Sequence, residues 1–174
     1  QDFLITGAAV MIEMFSDRVE ISNPGLPPIN VDRFIDEYRS RNEFLADLMR
    51  RLGICEEKGS GIDKVVRAAE IFQLPAPDFR VSESRTTAVL FAHQEFSAMS
   101  KSDRVRACYQ HCCLLYVSNQ RMSNQTLRDR FKLPESATAT VSLVIGAAKD
   151  VGLIKPDEAE TSSTRYARYL PFWA

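Results

Sequence analysis

The apolar positions of this chain change their period several times, and each change marks an element. From Ala8 to Ile21, Val10, Ile12 and Met14 alternate with other residues. Val19 and Ile21 repeat the alternation beyond Ser16-Asp17-Arg18, which predicts two short strands meeting at that turn. Asn23-Pro24-Gly25 closes the second strand: proline presets φ for the second position of a β-turn and glycine accepts positive φ at the third, the type II pattern. Pro27-Pro28 extends the break. Helical spacing follows over Val31 to Tyr38, with Val31, Phe34, Ile35 and Tyr38 on one side. A stronger helix runs from Asn42 to Leu52. Asn42 can cap it, Glu43 suits its first turn, Phe44, Leu45, Leu48, Met49 and Leu52 form its apolar face, and Gly53 ends it. Glu57-Lys58-Gly59-Ser60-Gly61 is a glycine turn opening directly into a helix over 62–72, which Pro75 and Pro77 break. Residues 78–93 read as a hairpin, with Phe79 and Val81 before a polar turn and Thr87 to Phe91 after it. The expected fold is α+β, a two-layer α/β arrangement with a mixed or antiparallel sheet covered on one face by helices.

The polar stretch from Gln94 to Ser102, periodic nowhere beyond Phe96 and Met99, places a boundary between domains 1–95 and 101–174. Three helices are expected beyond it: Asp103 to about Ser118, Asn124 to Phe131, and about Ser136 to Val151. Ser123 caps the second, Leu127 and Phe131 face inward, and Leu133-Pro134 makes a tight turn. Val141, Val144, Ile145, Ala148 and Val151 bury one side of the third. Gly152-Leu153-Ile154-Lys155 then leads into a β-like tail that returns over Tyr166 to Phe172. Three helices and a turn-bearing β tail give the winged helix-turn-helix order.

Charge separates the same two regions. Of the 22 Lys+Arg and 23 Asp+Glu, residues 101–174 hold 11 basic against 7 acidic, and residues 1–100 hold 11 against 16. The near-neutral total conceals an acidic domain followed by a basic one, and the basic one is the candidate for a polyanion.

No apolar run approaches the ~20 residues that span a bilayer, so a membrane partner is excluded. The four cysteines, Cys55, Cys108, Cys112 and Cys113, make no secreted disulfide framework in a chain of 174 residues. Cys108, His111 and Cys112 share a helical face but lack the fourth ligand of structural zinc. Core thiols and a reducing cytoplasm are the expectation. No signal peptide is visible, and the start at Gln1-Asp2-Phe3, without Met, is expected to be a cut inside a longer protein.

A glycine turn at a helix start is a natural anion site, since backbone N–H groups and the helix dipole point outward there. The run Ser16-Asp17-Arg18-Val19-Glu20-Ile21-Ser22-Asn23-Pro24-Gly25, followed by Arg41-Asn42 and by Glu56-Glu57-Lys58-Gly59-Ser60-Gly61-Ile62, strongly resembles a bacterial and archaeal regulator family. Its members are described as RecG-like ATP-dependent DNA helicases or as transcriptional regulators with an N-terminal AlbA-like (Schlafen-type) domain. The resemblance covers about Gln1 to His93, and the ending Tyr169-Leu170-Pro171-Phe172-Trp173-Ala174 looks like the winged helix that closes many such chains. It implies a GHKL-like (Bergerat-type) ATPase domain, in which Asn23 stands where the family places the Asp that reads adenine. Gly25 would match the first glycine box, and Gly59, Ser60 and Gly61 the second, near the phosphates. Asn departs from the acid, Pro27 replaces a usual glycine, and the helix carrying the metal-coordinating Asn and catalytic acid would precede the first strand. The expectation is an incomplete ATPase domain with no cofactor and no enzymatic activity in this stretch, ATP and magnesium belonging to the full-length parent. No Gly-x-x-x-x-Gly-Lys-Ser/Thr loop supports the helicase name.

In the basic domain, Thr138, Thr140, Ser142 and Lys149, with Ser136, are the candidate readers of duplex DNA on the third helix. Arg128, Arg130 and Lys132 on the second helix, and Lys155, Arg165 and Arg168 near the wing, would position its backbone. Glu135 opposes phosphate there, and many winged helices serve protein contact instead. The expected function is therefore the C-terminal region of a transcriptional regulator, with a GHKL-like domain for sensing or dimerisation. A nucleotide-hydrolysing enzyme and an interaction scaffold are its rivals. A homodimer fits paired half-sites. His93 and His111 have no nucleophile partner at motif spacing, and Trp173 is expected to pack the wing.

Overall fold

The computed structural model describes residues 9–54, 61–159 and 167–174. Its elements fall into two compact units that are not contiguous in sequence. One comprises Gln1–Val65 with Pro77–Ala92, the other Val66–Ala76 with His93–Ala174. The end of a helix and the turn after it, residues 66–76, belong with the C-terminal unit.

The N-terminal unit is built on a four-stranded antiparallel sheet, β1 (Met11–Met14), β2 (Arg18–Pro24), β3 (Asp78–Val81) and β4 (Arg85–Phe91), in the order β1-β2-β4-β3. The two predicted strands pair directly, Met14 opposite Val19 and Ile12 opposite Ile21. The Asn-Pro-Gly stop falls slightly later than expected. β2 runs through Pro24, with Asn23 opposite Thr86 and Pro24 opposite Arg85, before Gly25 turns the chain at φ 98°. Val89 at the centre of β4 is fully buried, and Arg85 donates to the Ser22 hydroxyl at 3.0 Å.

The helix expected over 31–38 is a single 3-10 turn, Val31–Arg33, capped by the Asn30 carboxamide at 3.0 Å. One turn suffices to deliver its apolar residues. Ile35 is buried, and Phe34 meets Phe79 of β3 edge to face with ring centres 5.3 Å apart. Helix α1 (Glu43–Arg51) forms as expected, but Asn42 makes no side-chain cap and α1 has no buried residue; Phe44 is 96% exposed. Among the described residues α1 thus buries none of its apolar face fully, where a helical layer on the sheet was expected.

Helix α2 (Gly61–Ile71) spans both units, and its buried residues are Val66 and Ala69. The C-terminal unit then winds around α3 (Lys101–Val117), whose residues Ala107 to Leu114 are buried without interruption. A helix buried on all sides has no one-sided face for a sequence to display. It starts with a capping box, Ser100 accepting from the Asp103 N–H at 3.1 Å while the Asp103 carboxylate accepts from the Ser100 N–H. Burial pushes the Asp103 carboxyl up, but its bonds from Ser100 and Arg106 outweigh that and hold it below its ordinary value.

Helix α4 (Asn124–Arg130), capped by Ser123, presents fully buried Leu127, and α5 (Thr138–Asp150) buries Val141, Val144, Ile145 and Ala148. Val151, expected in that set, is exposed beyond the helix end. The polar stretch 94–102 is not a free linker. Met99 is buried and Phe96 stacks edge to face on Phe131 at 4.8 Å. Strands β5 (Ile154–Pro156) and β6 (Tyr169–Pro171) pair antiparallel, and Met122 adds a bridge to Tyr169 on the other side of β6. Trp173 donates to the Tyr109 hydroxyl at 3.1 Å and packs edge to face on Tyr116, fixing the chain end to α3.

All five α-helices end alike. The residue after the C-cap is left-handed, at Gly53, Gln73, Asn119, Lys132 and Gly152, and the N–H groups of that residue and the next bond back onto the last turn. Lys132 holds φ 50°, a conformation costing a side-chain-bearing residue about 1–2 kcal/mol. Lys132→Gly is expected to raise the unfolding free energy by about 1 kcal/mol; denaturant melts would show it, and an unchanged or lower midpoint would contradict it. Among the described residues no helix is long and apolar enough to cross a membrane.

Candidate nucleic-acid interface

The starts of α4 and α5 and the beginning of β6 enclose an open groove of about 840 Å³. Four of the predicted residues line it together: Arg128, Thr138, Ser142 and Arg168. Three residues that sequence reasoning passed over, Arg121, Asn124 and Gln125, line it as well, and Asp129 and Glu135 put carboxylates on its wall. The charges of the groove thus nearly balance, three guanidiniums against two acids.

The polar groups are tied to one another. The Asn124 carboxamide donates to the Thr138 carbonyl at 3.0 Å and the Ser142 hydroxyl at 2.9 Å, while its oxygen accepts from Arg128 Nε at 3.1 Å. Arg121 is held by Asp157, Nε to carboxylate 2.7 Å, and its guanidinium lies over the Tyr116 ring. Asp157 is itself buried, and its N–H donates to the Arg168 carbonyl, so one aspartate ties Arg121 to the residues flanking β5 and β6.

The remaining predicted contacts lie elsewhere. Arg130 is only 5% exposed, which corrects its assignment to the surface. Its guanidinium donates to the Leu74 carbonyl at 2.7 Å and faces Glu70 at 3.5 Å. Burial pulls its pKa below the ordinary arginine value, with Glu70 acting the other way. Thr140 borders a separate hollow of about 540 Å³ beside Lys101, Arg104 and exposed Leu143. Lys132 lines a third hollow, of about 490 Å³, together with Phe96 and Phe131. Lys149 and Ser136 are exposed, and Lys155 Nζ donates to the carbonyl of Ala174. Arg165 lies outside the described residues.

The nucleotide residues do not form a cradle within the described chain. Gly25 donates its N–H to the Ser84 carbonyl at 2.7 Å and its carbonyl accepts the Thr86 hydroxyl at 2.8 Å, so both its backbone groups are engaged within the sheet. At Gly61 an added Cβ would meet no described protein atom within 4 Å, so the space beside it is open. Asn23 stands half-buried in the β2–β4 register, and Gly59 and Ser60 lie outside the described residues.

Cys108, Cys112 and Cys113 are buried and form no disulfide; Cys108 contacts the Met122 sulfur at 3.9 Å and Cys112 the Tyr169 carbonyl at 3.5 Å. His111 Nδ1 lies 2.9 Å from Glu70, within the buried cluster around Arg130. Among the described residues no group of three His, Cys, Asp or Glu could hold a metal ion.

No curated protein matches the chain. Among solved structures, the DIP2311 protein from Corynebacterium diphtheriae aligns with 88% of this chain at 16% identity and a TM-score of 0.44. The alignment covers 33% of that protein, so the chain spans about a third of its length. Residues 7–90, the stretch that contains the antiparallel sheet but for Phe91 at the end of β4, match the family model described as "Putative ATP-dependent DNA helicase recG C-terminal", and the N-terminal half of the chain is similar to that family.

Proposed function

We propose that the C-terminal unit is a winged helix that binds duplex DNA and that the chain is the C-terminal region of a cytoplasmic transcriptional regulator. The order α3, the Met122 bridge, α4, α5, β5 and β6 supports the winged-helix reading, in which Met122 would stand for the first short strand and the connection between β5 and β6 for the wing. The observation that carries the DNA reading is the groove that gathers Arg128, Arg168, Thr138 and Ser142 at one opening. Arginines and hydroxyls are the usual donors to phosphate oxygens, and such contacts give affinity that falls with salt. The N-terminal unit, similar to the RecG C-terminal family, would serve sensing or dimerisation, a homodimer matching paired half-sites.

Fluorescence anisotropy of a labelled duplex at two salt concentrations tests the reading. Binding should weaken steeply with salt, and Arg128→Ala should lower affinity about 5–10-fold at low salt and reduce the salt slope by about 1. Absence of binding at low salt would refute it and favour a protein-docking role. The description of the matched family favours a second reading, a nucleotide-driven enzyme acting on DNA. Nucleotide-dependent protection of the 59–61 turn from hydrogen exchange would support that one.

A further inference from the structure

We infer that Asn124 is a positioning residue that holds the Arg128 guanidinium as a clamp for one phosphate of the DNA backbone, an inference resting on the DNA-binding reading above. An asparagine at a helix start beside the reading helix is the residue type that recognises adenine edges. Here its carboxamide is fully engaged with protein. It donates to two groups of α5, the Thr138 carbonyl and the Ser142 hydroxyl, and accepts from Arg128 one turn further along α4. It brackets the two helices and has no N–H left to donate to a base.

The same bonds leave Arg128 in a defined state. Its Nε is fixed by Asn124, and among the described residues its two terminal nitrogens hold no protein partner, although the residue lines the groove. A guanidinium anchored at Nε presents its remaining N–H groups as a planar fork, which fits two oxygens of one phosphate and loses little side-chain freedom on binding. Asp129 and Glu135 on the same wall oppose any further anion, which limits the clamp to a single phosphate. The contact reads no base, so its contribution is the same for every sequence.

The test uses the whole chain, with anisotropy on two duplexes of unrelated sequence and the 1H–15N resonance of Arg128 Nε as a readout that needs no DNA. Asn124→Ala and Arg128→Ala should each weaken binding to both duplexes about 5–10-fold, with the double variant no weaker than Arg128→Ala alone. Ser142→Ala, which removes one acceptor and leaves the helices in place, should weaken it about twofold. In the unsubstituted chain the Nε–H signal should be protected from exchange and should shift on titration with inorganic phosphate. In Asn124→Ala the protection should be gone. Additive losses, or a folded Asn124→Ala chain that binds as well as the unsubstituted one, would overturn the inference while leaving the DNA reading intact. An unprotected Nε–H in the unsubstituted chain would overturn it without reference to DNA. Failure of the unsubstituted chain to bind either duplex would instead remove the DNA reading, and with it the phosphate as the clamp's ligand.

Discussion

Glu70→Ala should destabilise the C-terminal unit by about 3–5 kcal/mol, the usual effect of removing one partner of a buried ion pair. For a chain of this size that corresponds to a fall of roughly 10 °C or more in melting temperature. The Glu70 carboxylate is 2.9 Å from His111 Nδ1 and 3.5 Å from Arg130 Nε, and the Arg130 side chain is 2% exposed. Without Glu70 the guanidinium keeps its bond to the Leu74 carbonyl but loses the only countercharge recorded for it among the described residues. Desolvation of the charge then goes uncompensated, and burial already draws the Arg130 pKa down with Glu70 present. The double replacement Glu70→Leu with Arg130→Met removes the charge as well as its partner, so it should recover most of the loss. Calorimetric melts of the single and double variants decide the matter. A single-variant cost below about 1 kcal/mol would mean that the pair is hydrated in solution.

Raising the pH should produce the second large effect. Burial, reinforced by the neighbouring Cys113 thiol, pushes Cys108 up to about 12, and burial pushes Cys112 upward as well. Below the ordinary thiol value both are protonated in the folded and unfolded chain, and their full contribution is present. Above about pH 9 the unfolded chain ionises them while the folded chain does not, so stability falls with pH until the folded pKa is reached. Each thiol costs about 1.4 kcal/mol per pH unit across that window. Tyr169, also raised by burial, adds in the same direction above its own ordinary value. Guanidinium unfolding at pH 8, 9 and 10 should therefore give falling midpoints, and Cys108→Ala should flatten the decline by one proton. An identical slope in that variant would show that surface lysines, not the core thiols, set the alkaline limit.

The parts of the fold legible in the sequence are those where one residue pattern serves one purpose. Alternation in 10–21 gave strands because β1 and β2 pair with each other through a short turn. Ser123 and Gly53 marked the start of α4 and the end of α1 because capping needs only local geometry. Other features depend on chain that arrives from far away. Arg130 reads as a surface cation within Arg-Asp-Arg, and only the tail of α2, 56 residues upstream, supplies the carbonyl and carboxylate that hold it inside. The helix expected over 31–38 failed because one turn already places Phe34 and Ile35. Half of the site was readable as basic and hydroxyl residues. The bracket through Asn124 was not, since nothing in sequence tells an engaged carboxamide from a free one. Gln73 and Lys132 as left-handed caps carry no compositional signal either; both are conformations imposed by the helices they end.

The division of α2 between the two units bears on how the C-terminal part could be exchanged between proteins. A segment excised at the start of α3 would contain β5, β6 and every residue of the groove, yet it would omit Glu70, Leu74 and Ala76, which partner His111, Arg130 and Arg106. Such a transplant would carry a buried positive charge and a bare patch on α3 and α4 into its new host. An unbroken piece that holds the whole C-terminal unit begins at Val66 and carries residues 77–92, with β3 and β4 of the other unit, along with it, so this unit cannot be moved alone as one continuous segment.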